Sequence, residues 1–87
     1  MMKKRLIFGV HLTDRLKEAS QVQALLTEYG CHIKTRLGLH NVDKTYCSSA
    51  GLLLLEMFGE EAPCQELARK LAAIAALEVK QMEFPCD

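Results

Sequence analysis

This 87-residue chain has no excess of either charge: 11 Lys and Arg balance 11 Asp and Glu, and the pI is about 6.8. Domains that grip nucleic acid usually show a basic face or a pI above about 9, so no direct nucleic-acid partner is expected. The one basic cluster, Lys3-Lys4-Arg5, reads as a solvated tail. Long hydrophobic runs are also missing. No stretch approaches the roughly 18 apolar residues that span a bilayer, which argues against a membrane partner. The apolar stretch after the basic cluster is broken by Gly9 and His11 and lacks a small-residue cleavage site, unlike a secretory signal. A cytoplasmic location is the expectation.

Paired cysteines are lacking too. Cys31, Cys47, Cys64 and Cys86 form no Cys-x-x-Cys unit, which argues against a structural zinc knuckle. Without a secretory signal they are expected as free thiols. Catalytic signatures are equally scarce. There is no serine elbow, no phosphate-cradling glycine loop and no carboxylate pair placed by a motif. Tyr46 and Ser48 flank Cys47 with nothing to orient them, so the chain is not expected to be an enzyme.

What is present is an ordinary globular composition, 49% apolar and 25% charged, and a length that suits a single domain, residues 1–87. A chain this short buries only about 60–65% of its unfolded surface, which favours oligomerisation. Arg5–Leu12 alternates as a strand with Leu6, Phe8, Val10 and Leu12 on one face. Thr13–Gly30 reads as a helix, with Thr13 or Asp14 as cap, Gly30 as left-handed stop, and a stripe of Leu16, Ala19, Val22, Leu26 and Tyr29. Cys31–His40 alternates again, with Cys31, Ile33, Thr35, Leu37 and Leu39 inward. A loop, Asn41–Ala50, leads to an apolar strand, Gly51–Phe58, with Leu53, Leu55 and Met57 inward. Pro63 suits the first position of a second helix striped by Leu67, Leu71 and Ile74, and Leu77–Phe84 closes as a fourth strand ended by Pro85.

The order strand-helix-strand-strand-helix-strand, with a right-handed crossover, predicts an α+β ferredoxin-like βαββαβ fold. It is a four-stranded antiparallel sheet of order 4-1-3-2 with two helices on one face. Alternation sends Ile7, Gly9 and His11, then His32, Lys34, Arg36 and His40, then Leu52, Leu54 and Glu56 to the open face. Ile7, Leu52 and Leu54 would form an apolar centre inside a polar rim, the pattern of an interface. A homo-oligomer, dimer or tetramer, is expected through this face or its edges.

His40 and Cys47 bracket a short polar run before the apolar third strand. Imidazole with thiolate suits nickel, zinc or cobalt, and His11, ending the first strand, is placed to complete such a set. His32, at the far end of its strand, can join only from another subunit. The bland alternative is an ordinary loop beside a buried strand.

The topology, the run Arg36-Leu37-Gly38-Leu39-His40 with the apolar third strand, and the closing Leu77-Glu78-Val79-Lys80 resemble the small ACT-like proteins known as iron-only hydrogenase system regulators. That resemblance covers Ile7 to Phe84. It implies a stand-alone ACT-like regulatory domain that senses a small-molecule effector or protein partner and is connected with iron-only hydrogenase expression or maturation. The chain is also distantly similar to the C-terminal metal-sensing domain of the nickel-responsive repressors, which implies nickel or zinc as cofactor at His40 and Cys47, with His11 or a partner subunit's histidine completing the set. Gly38 stands where those repressors carry a companion histidine, and their ribbon-helix-helix segment has no counterpart here. The amino-acid-binding ACT domains carry Asp-Arg-Pro-Gly after the first strand. The chain keeps Asp14 and Arg15 but continues with Leu16 and Lys17. The resemblance therefore implies an effector site of Asp14, Arg15, His40 and Cys47 at an interface lined by the 38–51 loop.

Overall fold

Leu6, Phe8, Val10 and Leu12 all lose their contact with water, as a strand with one covered face requires. The computed structural model describes residues 2–13, 15–39 and 51–86, with the backbone alone for 15–17 and 39. The elements are β1 (Lys4–Leu12), α1 (Arg15–Glu28), β2 (Ile33–Leu39), β3 (Gly51–Met57), α2 (Glu61–Ala72) and β4 (Leu77–Pro85). The sheet runs β2-β3-β1-β4 with every neighbouring pair antiparallel, which is the expected 4-1-3-2 read from the other edge. This is the α+β ferredoxin-like fold.

The core lies between the sheet and the two helices. Phe8, Leu6, Val10 and Leu55 from the central strands meet Leu67, Leu71 and Cys64 from α2, all fully buried. Each large side chain contributes about 1.5–3 kcal/mol when buried. From α1 come Val22, Leu26 and Tyr29, while Ala19 stays exposed and Glu18 is buried instead. Helix α2 starts at Glu61, so Pro63 is its third residue, still within the first turn where no intrahelical donor is lost.

Three local expectations are corrected. Gly30 does not end α1 in the left-handed region; it opens a 3-10 turn, Gly30–His32, and β2 begins only at Ile33. Thr13 stands two residues before α1 begins at Arg15, outside the cap position, and the alternative cap, Asp14, lies outside the described residues. The amide and the hydroxyl of Thr13 both donate to the carbonyl of Ala76, tying the end of β1 to the turn before β4.

The third correction concerns β2. Ile33 pairs with Met57 and Thr35 with Glu56, so β2 spends two residues where β3 spends one, a β-bulge with Lys34 as the extra residue. An inserted residue exchanges the faces of everything beyond it. Arg36 and Gly38 therefore pair with the core-facing Leu55 and Leu53 and lie on the helix side, not on the open face. Leu37 pairs with Leu54 on the open face and is 51% exposed, not inward.

Ala76 holds a φ of 66°, a left-handed conformation that costs a Cβ-bearing residue about 1–2 kcal/mol. Ala76→Gly is expected to stabilise the fold by about 1 kcal/mol, which thermal denaturation should show as a Tm rise of roughly 4–8 °C. An unchanged or lower Tm would mean that the turn is not strained.

Candidate functional site

The exchange of faces in β2 builds a cavity. Beneath α1, at the β2 side of the sheet, a hollow of about 330 Å³ is floored by Leu12, Val22, Leu26 and Leu53. Its polar lip is Arg36 and Gln23, joined by a hydrogen bond of 2.6 Å from the Arg36 guanidinium to the Gln23 Oε1. Gly38 and Gly51, the residues that flank the predicted 38–51 loop, both line it. A Cβ at Gly38 would meet nothing within 4 Å among the described residues. The arrangement offers an apolar bed with a fixed cation at its edge, the usual composition of a small-molecule site.

Glu18 lies in the first turn of α1, one residue before the cavity-lining Ala19. It is 5% exposed, and its Oε1 has no hydrogen-bond partner among the described residues. A buried carboxylate oxygen without a donor is costly. The helix N-terminus offsets part of that cost by favouring negative charge in the first turn.

Of the residues expected at a ligand or metal site, Asp14, His40 and Cys47 lie outside the described residues, and for Arg15 only the backbone is described. His11 is exposed on the open face as expected, its Nδ1 3.7 Å from Glu78 on β4. Among the described residues no three His, Cys, Asp or Glu side chains gather as a metal ion requires. His32 sits in the 3-10 turn with its Nδ1 against Gly59, 3.3 Å from where a Cβ would stand; Gly59 holds a φ of 95°. Cys64 is fully buried, and burial, with Glu61 nearby, pushes its thiol pKa up, away from the thiolate. Cys31 and Cys86 are exposed free thiols.

A second, smaller hollow of about 130 Å³ is lined in part by Lys4, Arg5 and Lys34. It makes a poor anion site. Lys4 is held by Glu61 at 2.8 Å and Glu83 at 2.9 Å, and its ammonium pKa is raised by those hydrogen bonds. Arg5 is held by Glu56 at 2.9 Å.

Ile7 and Leu54 are half-buried on the open face, and Leu52 is exposed there. The register adds Leu37, Met82 and Phe84 to the same face, all about half exposed. Sequence reasoning missed Arg36 and Gln23 as cavity residues because a strict alternation through Lys34 sends Arg36 to the wrong side. It missed Glu18 because nothing in a helical stripe marks a buried acid.

No protein-family model matches the chain, and no curated protein matches it. Solved structures do. An uncharacterised protein from Thermotoga maritima superposes with a TM-score of 0.78 at 23% identity, over 92% of this chain and 96% of that one. A nitrogen regulatory PII-like protein from Thiomonas intermedia, bound to ADP, AMP and bicarbonate, gives 0.58 at 12% identity, over 92% and 89%. A formyltetrahydrofolate deformylase from Pseudomonas putida gives 0.53 at 14% identity, over 90% of this chain but 28% of its own. At these identities the likenesses establish the fold.

Glu18→Leu is expected to raise stability by about 1–3 kcal/mol, since it removes a buried oxygen with no partner among the described residues. Thermal denaturation reads this directly. A lower Tm would mean that the buried carboxylate is not a net cost to the fold.

Proposed function

We propose that the chain is a stand-alone ACT-like regulatory domain that binds a small effector in the cavity under α1 and works as a homo-oligomer in the cytoplasm. The observation that carries this reading is the cavity itself, an apolar bed of Leu12, Val22, Leu26 and Leu53 under the Arg36 guanidinium. At about 330 Å³ it is near the lower end of ligand pockets. The effector it fits is a compact molecule with an apolar body and a carboxylate that replaces Gln23 as the partner of Arg36. A carboxylate can take two parallel hydrogen bonds from a guanidinium, where the Gln23 amide oxygen takes one. Gly38 and Gly51 line the same cavity. The resemblance to iron-only hydrogenase system regulators supports hydrogenase expression or maturation as the process served.

The test is a thermal-shift screen of small carboxylates against their amides. A carboxylate present at 100 times its Kd should stabilise the protein by about 2.7 kcal/mol, several degrees in Tm. Arg36→Gln should keep the fold and lose the shift. No shift with any carboxylate, or a shift that survives Arg36→Gln, counts against the reading. In a host that makes an iron-only hydrogenase, loss of the protein should change hydrogenase abundance or maturation.

A further inference from the structure

Lys4 lies between Glu61 and Glu83, Arg5 on Glu56 and Lys70 on Glu28, each within 3.2 Å of a carboxylate oxygen. At the lip of the cavity the partner is an amide instead. The Arg36 Nη2 donates to the Gln23 Oε1 at 2.6 Å, and no carboxylate pairs with Arg36 among the described residues. An amide oxygen satisfies one N–H and leaves the positive charge uncancelled. The guanidinium is therefore occupied, yet still able to attract an anion.

That occupant is easily displaced. Gln23 and Arg36 are both exposed residues, so water competes for the bond and it is worth less than a buried one. Both ends of the bond line the cavity, Gln23 from α1 and Arg36 from β2. A guanidinium only donates, so the Gln23 side chain must meet it oxygen first, as a carboxylate would. We infer that Gln23 is a resident competitor: in the empty site its carboxamide oxygen stands on Arg36 in place of the effector's carboxylate, and displacing it sets the concentration at which the cavity fills. This deepens the effector site of the reading above and rests on it.

The size of the effect follows from linkage. When a ligand needs a group that is free in only a fraction of the molecules, its apparent affinity falls by that fraction. A single exposed bond of this kind keeps about three to ten molecules closed for each one open. That is enough to tune a sensor and too little to shut it. An acid at position 23 would act differently. It would take two N–H groups at once and cancel the charge, as Glu56 does for Arg5 with bonds from its Nε and Nη2. The neutral amide therefore suits a site that must be emptied and refilled, and a carboxylate would close it.

The test is an NMR titration of the full chain with 4-methylpentanoate, a compact branched carboxylate, in the wild type, Gln23→Ala, Gln23→Glu and the double variant Gln23→Ala, Arg36→Gln. Backbone amide spectra establish that each variant keeps the fold. Gln23→Ala should tighten the Kd by about three- to tenfold, while the Tm of the ligand-free protein stays level or falls slightly. Gln23→Glu should weaken the Kd by about tenfold or more and raise the Tm. The double variant should not bind, because Gln23 acts only through Arg36. A merely structural Gln23 would move stability and affinity in the same direction. Gln23→Ala that binds no more tightly than the wild type, or Gln23→Glu that binds as well as it, overturns the competitor and leaves the cavity standing. A silent wild type with a binding Gln23→Ala supports the competitor, and silence in both overturns the carboxylate site together with it.

Discussion

One inserted residue governs where this molecule can do chemistry. The bulge at Lys34 exchanges the two faces of β2, and the rest of the strand follows because side chains alternate without exception. With it, a guanidinium reaches the helix layer at Arg36 and a leucine is left bare on the open face at Leu37. Without it, Arg36 would join the polar rim of the open sheet and the ground beneath α1 would be filled by leucines. Bulges cluster beside functional sites because they re-aim side chains at small cost to the ladder. Here the result is an apolar cavity with a cation on its lip.

Sheet and helices share one wall between the two regions of interest. Leu52 belongs by register to the open face and also lines the cavity's edge. A core packed like a crystal transmits displacement, so a side chain common to both surfaces cannot move for one alone. In a fold of this size, with β3 contributing alternately to core and open face, the two sites are never more than one strand apart.

Most of the architecture is legible in the residues because it depends on patterns that run uninterrupted. Leu6-Phe8-Val10-Leu12 and Leu53-Leu55-Met57 alternate cleanly, and their burial matches. The topology follows from element order and handedness. The site was less legible, for a definite reason. Alternation from Cys31 to Leu39 looks as regular as that of β1, and no residue type announces that Lys34 is supernumerary; the signal is the pairing with β3, which lies in the fold rather than in the segment. Gly30 suited a helix stop in type but adopts a 3-10 turn, and Thr13 suited a cap but is engaged by Ala76. Glu18 reads as a surface acid, and only tertiary packing covers it. Asp14, His40 and Cys47, chosen from residue type and family likeness, fall outside the described residues.

The central position of β1 also has a consequence for how the chain is made. Both of its hydrogen-bonding edges are filled by strands that come later, and Lys4 finds its β4 partner about 80 residues downstream. At roughly 5–20 residues per second, synthesis leaves that edge open for about 4–16 seconds. Leu6 and Phe8, which end fully buried, are carried on a nascent strand with no partner until β3 is made about 50 residues later, and its other edge waits for β4. Long-range pairing of this kind slows folding relative to helical proteins. The emerging β1 is therefore the segment a ribosome-associated chaperone would be expected to hold.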